Sequence, residues 1–243
     1  DTYCFDNYSS PVMQNFTPIV YEGDTSLIPG HADTYMVYQE GIYVGYKYYE
    51  TRYEDFVMGT GNAGAYAYGD DVAFPFGYGL SYTTFEYSDV SLSYDAATTT
   101  YTMKVTVTNT GDVAGKETVQ AYVSSPYTQY DIDNNVEKAS VNLVGFEKTD
   151  ILAPGASETL TIEIDGDYVA SYDAYGAGTY ILDAGDYYFT AATDAHNAAN
   201  NVLAAKGYTA DSTEGRMDAA GNASLVATWN NPELDKTTYA TSD

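Results

Sequence analysis

Glu40 precedes Gly41 in the run Tyr38-Gln39-Glu40-Gly41-Ile42-Tyr43-Val44-Gly45-Tyr46-Lys47-Tyr48-Tyr49-Glu50. A carboxylate before a glycine and among tyrosines could be a positioned acid or base. It could equally accept hydrogen bonds from those tyrosines, or pair with Lys47 or Arg52. Carboxylate catalysis of acetal cleavage uses two carboxyls flanking the bond, so the structural role is favoured. Cys4 is the only thiol, and neither His31 nor His196 is near it in sequence to activate it as a nucleophile. Two histidines and one cysteine do not make up a structural zinc set. No acidic run has the calcium-loop spacing of an EF-hand, and the Gly/Ala/Tyr stretch 59–69 lacks the Lys-Ser/Thr ending of a phosphate loop. No metal site or cofactor is expected in this chain, and no substrate-binding residue is assigned.

Composition limits the partners. The 243 residues carry a net charge of -26, with 44% hydrophobic and 18% charged residues. That much apolar content can build a sizeable core. The acidity repels nucleic acid and anionic lipid, which are bound through Lys and Arg. No stretch of about 18 apolar residues is available to span a membrane. The chain opens on Asp1 in mid-pattern, without a signal sequence, as an excised or trimmed piece would. Asn7-Tyr8-Ser9, Asn15-Phe16-Thr17 and Asn222-Ala223-Ser224 match the glycosylation acceptor triplet.

The elements that must position any site fall into two textures. Before Phe74 the chain is irregular. Pro11, Pro18 and Pro29 with Gly23 and Gly30 predict an extended path, and its apolar groups predict a surface to lie against. Ile42, Val44 and Tyr46 alternate with Tyr43, Gly45 and Lys47, which predicts a strand or a tight turn into one. The stretch Phe74-Pro75-Phe76-Gly77-Tyr78-Gly79-Leu80-Ser81-Tyr82-Thr83-Thr84-Phe85-Glu86-Tyr87 is too aromatic for a free linker and predicts a packed seam.

Beyond the seam the period becomes two. Tyr101, Met103, Val105 and Val107 alternate with Thr102, Lys104, Thr106 and Thr108, as in a strand with one buried face. Further strands are expected at Val119 to Val123, Leu143 to Lys148, Thr159 to Ile164 and Tyr187 to Phe189. Turns at Asn109-Thr110-Gly111-Asp112, Ala153-Pro154-Gly155 and Gly185-Asp186 separate them. The acidic stretch from Tyr127 to Ala139, with Tyr130, Asp131 and Asp133, reads as a solvated loop, or else as one that reaches toward a neighbouring domain. Strands and turns at this spacing predict an immunoglobulin-like sandwich. Asp194 can cap a helix from about Ala195 to Lys206, ended by Gly207. His196 near its start is expected at the surface. Residues 211–224 read as loop and Leu225 to Trp229 as a short strand. Trp229, the only tryptophan, is expected to dock onto another domain.

Two long motifs, Glu40 to Tyr49 and Phe74 to Tyr87, resemble in order and wording the β-glucosidases of glycoside hydrolase family 3. Shorter phrases agree: Val107-Thr108-Asn109-Thr110-Gly111, Ala114-Gly115-Lys116-Glu117, Leu143-Val144-Gly145-Phe146-Glu147-Lys148, Leu152-Ala153-Pro154-Gly155 and Ala184-Gly185-Asp186-Tyr187. The resemblance covers about residues 30 to 190, with Lys47 where the family more often has Arg.

The resemblance implies a mainly β chain with four parts. Residues 1–73 would be the irregular end of an α/β sandwich domain and 74–87 an interdomain seam. Residues 88–192 would be a fibronectin type III-like β-sandwich, and 193–243 a short helix and extended tail. It implies partners in the same parent: an (α/β)8 barrel and the rest of the α/β sandwich domain. The parent would be a retaining, exo-acting enzyme on β-glucosyl or β-xylosyl oligosaccharides, and in a domain-permuted parent the tail would lead toward the barrel. Its nucleophile and acid/base would lie outside this chain. An extracellular or cell-surface bacterial setting is expected. A sugar-binding module and a self-associating structural piece stand as alternatives, because 28 tyrosines suit both sugar stacking and interfaces.

Overall fold

The computed structural model describes residues 41–240, together with the backbone of two short strands, β1 (Ile19–Val20) and β2 (Thr34–Tyr35), which pair antiparallel. Cys4, His31, Glu40 and the acceptor triplets at Asn7 and Asn15 lie outside the described residues.

Two antiparallel sheets make the sandwich. One has three strands in the order β3 (Phe85–Asp95), β4 (Thr100–Asn109) and β7 (Ser157–Asp165). The other has four, in the order β11 (Val226–Asn231), β10 (Gly185–Ala192), β5 (Thr118–Ser124) and β6 (Asn142–Lys148). The period-2 pattern of β4 places Tyr101, Met103, Val105 and Val107 fully inside. They face Val119, Ala121, Val123, Tyr187 and Phe189 of the second sheet in one core. Each such side chain contributes about 1.5 to 3 kcal/mol by leaving water. The sheets approach closely at Gly145, where a Cβ would stand 2.8 Å from Ile162 Cγ2. A small hairpin, β8 (Ser171–Asp173) and β9 (Thr179–Ile181), extends the sandwich.

Several expectations need correction. Residues 46 onward form a helix, α1 (Tyr46–Met58), and not a strand. Tyr49, Tyr53 and Val57 recur every four residues and bury one helical face. Gly59 closes the helix in the left-handed conformation, with φ 70°. A single turn, α2 (Tyr68–Asp71), follows. The stretch expected as a solvated loop contains α3 (Gln129–Asn134), started by a capping box between Thr128 and Asp131. Strand β3 had no separate expectation. It carries an irregular register between Ser88 and Ser91, with Asp89 at φ 53°, which interrupts the period.

The helix after the sandwich forms as expected: α4 (Ala195–Ala205), with the Asp194 carboxylate accepting from Asn197 N–H at 2.8 Å. The next segment returns to the sheet as β11, where Trp229 pairs with Tyr187 in register. Trp229 packs within 5.1 Å of the Tyr94 and Tyr101 rings, so it docks into its own sandwich and not onto another domain.

Candidate functional site

Four segments distant in sequence meet at His196. Helix α1 offers Glu50 and Tyr53 from adjacent turns. Helix α2 offers Tyr68, α4 offers His196 and Asn200, and the turn-rich stretch beyond α4 brings Asp218. His196 Nδ1 is 2.8 Å from Glu50 Oε2, and Nε2 is 3.0 Å from Asp218 Oδ1. Both ring nitrogens face carboxylate oxygens, so both are satisfied when each donates, which makes the ring an imidazolium. Burial pulls the imidazole down, but hydrogen bonds to Asp218 and Glu50 outweigh it and push its pKa up to about 9.

The ring lies on Tyr68, and Tyr53 leans against it at 4.6 Å. Tyr68 donates to Glu50 Oε1 at 2.5 Å. The Tyr53 hydroxyl lies 2.8 Å from Asn200 Oδ1 and 2.7 Å from Asp218 Oδ1, and it accepts from Asp218 N–H. Glu50 is fully buried, and both its oxygens are engaged. A catalytic carboxylate must reach a substrate, and this one is closed off by its own partners. The cluster is a polar lock that fixes the segment before the seam to the helix after the sandwich. His196 was expected at the surface; its partners lie 146 and 22 residues away, and no local pattern announces them.

A second buried group pins the inserted helix. Lys138 Nζ donates to Pro126 O at 2.8 Å, to Asp131 at 2.9 Å and to Asp183. Burial raises the Asp183 carboxyl, and the Lys138 ammonium opposes that rise. Asp131 therefore points inward and does not reach toward a neighbouring domain. Lys47 is half-buried, and burial lowers its ammonium. Arg52 lies 4.4 Å over the Tyr66 ring and 3.6 Å from Asp71. Asn222 of the third acceptor triplet holds Ser224 N–H at 3.0 Å. Among the described residues, no group of three or more His, Cys, Asp or Glu side chains is arranged to hold a metal ion.

The seam is anchored by its backbone and open on its side chains. Phe76 O accepts from Ala195 N–H at 2.9 Å, and Gly77 O accepts from Gln120 Nε2 at 3.1 Å. Gly77 has φ 89°, which only glycine adopts without strain. Phe76 stacks on Tyr46 at 4.6 Å, and Tyr87 buries its ring while donating to Glu117 at 2.6 Å. Yet Phe74, Tyr78, Leu80 and Tyr82 stand exposed, Leu80 at 89% and Tyr82 at 98%. Isolated apolar residues are ordinary at a surface; a run of four such groups marks a covering partner.

Comparison with known proteins places this geometry. A family model described as a fibronectin type III-like domain matches residues 117–195. A β-glucosidase of Ruminococcus albus is 35% identical over 202 residues, covering 82% of this chain and 17% of that protein. An exo-α-(1→6)-L-arabinopyranosidase of Bifidobacterium breve is 35% identical over 176 residues, covering 72% of this chain and 19% of its own. Among solved structures, β-glucosidase 3B of Thermotoga neapolitana superimposes with a TM-score of 0.55 at 30% identity, over 82% of this chain and 21% of that one. The chain thus spans about a fifth of the length of the proteins it matches.

Proposed function

Because the chain belongs to the C-terminal region of the glycoside hydrolase family 3 β-glucosidases, we propose that it is the non-catalytic, supporting part of a retaining, exo-acting enzyme. That parent removes terminal β-glucosyl, or β-xylosyl, residues from oligosaccharides. Retention needs a carboxylate nucleophile and a carboxyl acid/base about 5 to 5.5 Å apart. We assign both to the portion of the parent outside this chain, on the (α/β)8 barrel and the rest of the α/β sandwich domain. Residues before the seam are then the end of that α/β domain, and the sandwich is its support.

The observation that carries this reading is the seam. Its backbone is fastened to the sandwich, while Phe74, Tyr78, Leu80 and Tyr82 face outward uncovered. Other domains of a parent chain would cover them. An arabinopyranosidase among the relatives leaves the pyranose to be identified by assay. The test compares the pure chain with its full parent on aryl β-glucoside and β-xyloside. Turnover is expected from the parent alone. Turnover by the isolated chain, lost on Glu40→Gln, would overturn the proposal.

A further inference from the structure

Four tyrosines stand in water around the β8/β9 hairpin. Tyr172 and Tyr180 face each other in register across it, with ring centroids 5.1 Å apart. Asp173, Thr179 and Ile181 beside them are buried, so strand alternation puts both rings on the outer face. Tyr168, on the turn before β8, is 69% exposed, and Tyr175, between the two strands, is 78% exposed. A cluster of large exposed side chains marks an interaction surface. This one lies away from the seam. Strand β3 leaves the seam at Phe85 and turns into β4 between Asp95 and Thr100, and Gly166 N–H donates to Thr99 O at 2.9 Å. Tyr168 and the strand after it therefore begin at the opposite end of the sandwich from Leu80 and Tyr82.

Charge narrows what fits there. No Lys or Arg occurs between Lys148 and Lys206, and the exposed Asp165 and Asp167 stand just before Tyr168. A second copy of this chain, with its charge of -26, is repelled, as is any polyanion. Tyrosine rings beside carboxylates attract cations through the negative face of the ring. The chain makes this pairing once for itself at the turn of the hairpin. Lys236 Nζ lies 4.3 Å over the Tyr130 ring, whose hydroxyl donates to Asp173 at 2.5 Å. Among the described residues, the cations seated over rings are on Tyr66, Tyr130 and Tyr188, which leaves the outer face of the hairpin open. We propose that this face docks a Lys/Arg-rich segment of another protein.

Fluorescence polarisation of labelled octa-arginine against the intact chain tests the surface. Saturable binding is expected, weakening as salt rises. Net charge alone would give as much, so the first deciding variants leave it unchanged. Tyr172→Ala with Tyr180→Ala should weaken binding about tenfold through loss of two ring faces. Tyr172→Phe with Tyr180→Phe keeps those faces and should bind as the unaltered chain does. Leu80→Ser with Tyr82→Ser, exposed at the other end, is the control and should change nothing. Asp167→Asn should weaken binding more than Asp112→Asn, which removes the same charge from the turn beside the seam. Absence of saturable binding, an Ala pair as tight as the unaltered chain, or equal losses from the two Asp variants each overturns the proposal. A Phe pair that binds less tightly than the unaltered chain overturns it too, because hydroxyls and not ring faces would then make the contact. Should the Ala pair fail to fold, the Phe pair and the two Asp variants still decide.

Discussion

His196 lies flat on Tyr68, with ring centroids 3.7 Å apart and planes 15° from parallel. The same imidazole bridges Glu50 and Asp218, so a cation is held between two carboxylates over an aromatic face. The two rings come from elements on opposite sides of the sandwich sequence, and their contact closes the fold around it.

This lock should be pH-sensitive in one direction. The folded pKa of His196, about 9, lies above its ordinary 6.5. A raised pKa stabilises below the unfolded value and stops doing so as pH climbs through the folded one. Thermal melts should therefore show the full contribution below pH 6.5 and its loss toward pH 9. The amplitude should be about 3 kcal/mol. His196→Gln should flatten that slope; a slope unchanged by the substitution would refute the assignment.

Lys138→Met should be far more costly than a surface change. It leaves Asp131 and Asp183 buried without their cation. Breaking one partner of a buried charge group costs about 3 to 5 kcal/mol. Urea unfolding should report that loss, and adding Asp131→Asn and Asp183→Asn should restore part of it. A loss below about 1 kcal/mol would place the ammonium in water.

Gly145→Ala should loosen the sandwich. The new methyl would press on Ile162 across the sheet interface, where 2.8 Å is available. Overpacking of this kind costs about 1 to 3 kcal/mol, readable as a lower melting temperature. An unchanged melting temperature would show that the sheets can part locally.

The seam predicts a split result. Leu80→Ser with Tyr82→Ser should leave the stability of the isolated chain within about 0.5 kcal/mol, since both side chains are in water there. The same pair in the full parent should lower its melting temperature and its activity together. A parent indifferent to the change would show that these groups face solvent there too.

Strand β4 was legible because Tyr101, Met103, Val105 and Val107 repeat at a period with one structural solution. Helix α4 was legible from Asp194 alone at its start and Gly207 after its end. Helix α1 was hidden by its tyrosines, which favour strands, and by the alternation of Ile42, Val44 and Tyr46 just upstream. The four-residue spacing of Tyr49, Tyr53 and Val57, closed by Gly59, was the signal that could have found it. The Lys138 and His196 clusters had no local signal at all. Charged residues on a loop and at a helix start look solvated until tertiary structure supplies their partners. Trp229 was misplaced for the related reason that strand pairing is not encoded in the strand itself.

Glu50 and His196 are 146 positions apart, and Tyr53 waits a further 22 past His196 for Asp218. On a ribosome, α1 and its near partner Tyr68 are therefore complete long before His196, Asn200 and Asp218 exist. The part of its apolar face that α4 covers must stay in water or in a chaperone until nearly the whole sandwich has been made. Non-local closure of this kind slows folding. A synonymous or structural change that delays synthesis between α1 and α4 should thus lower the yield of soluble protein without altering the finished fold.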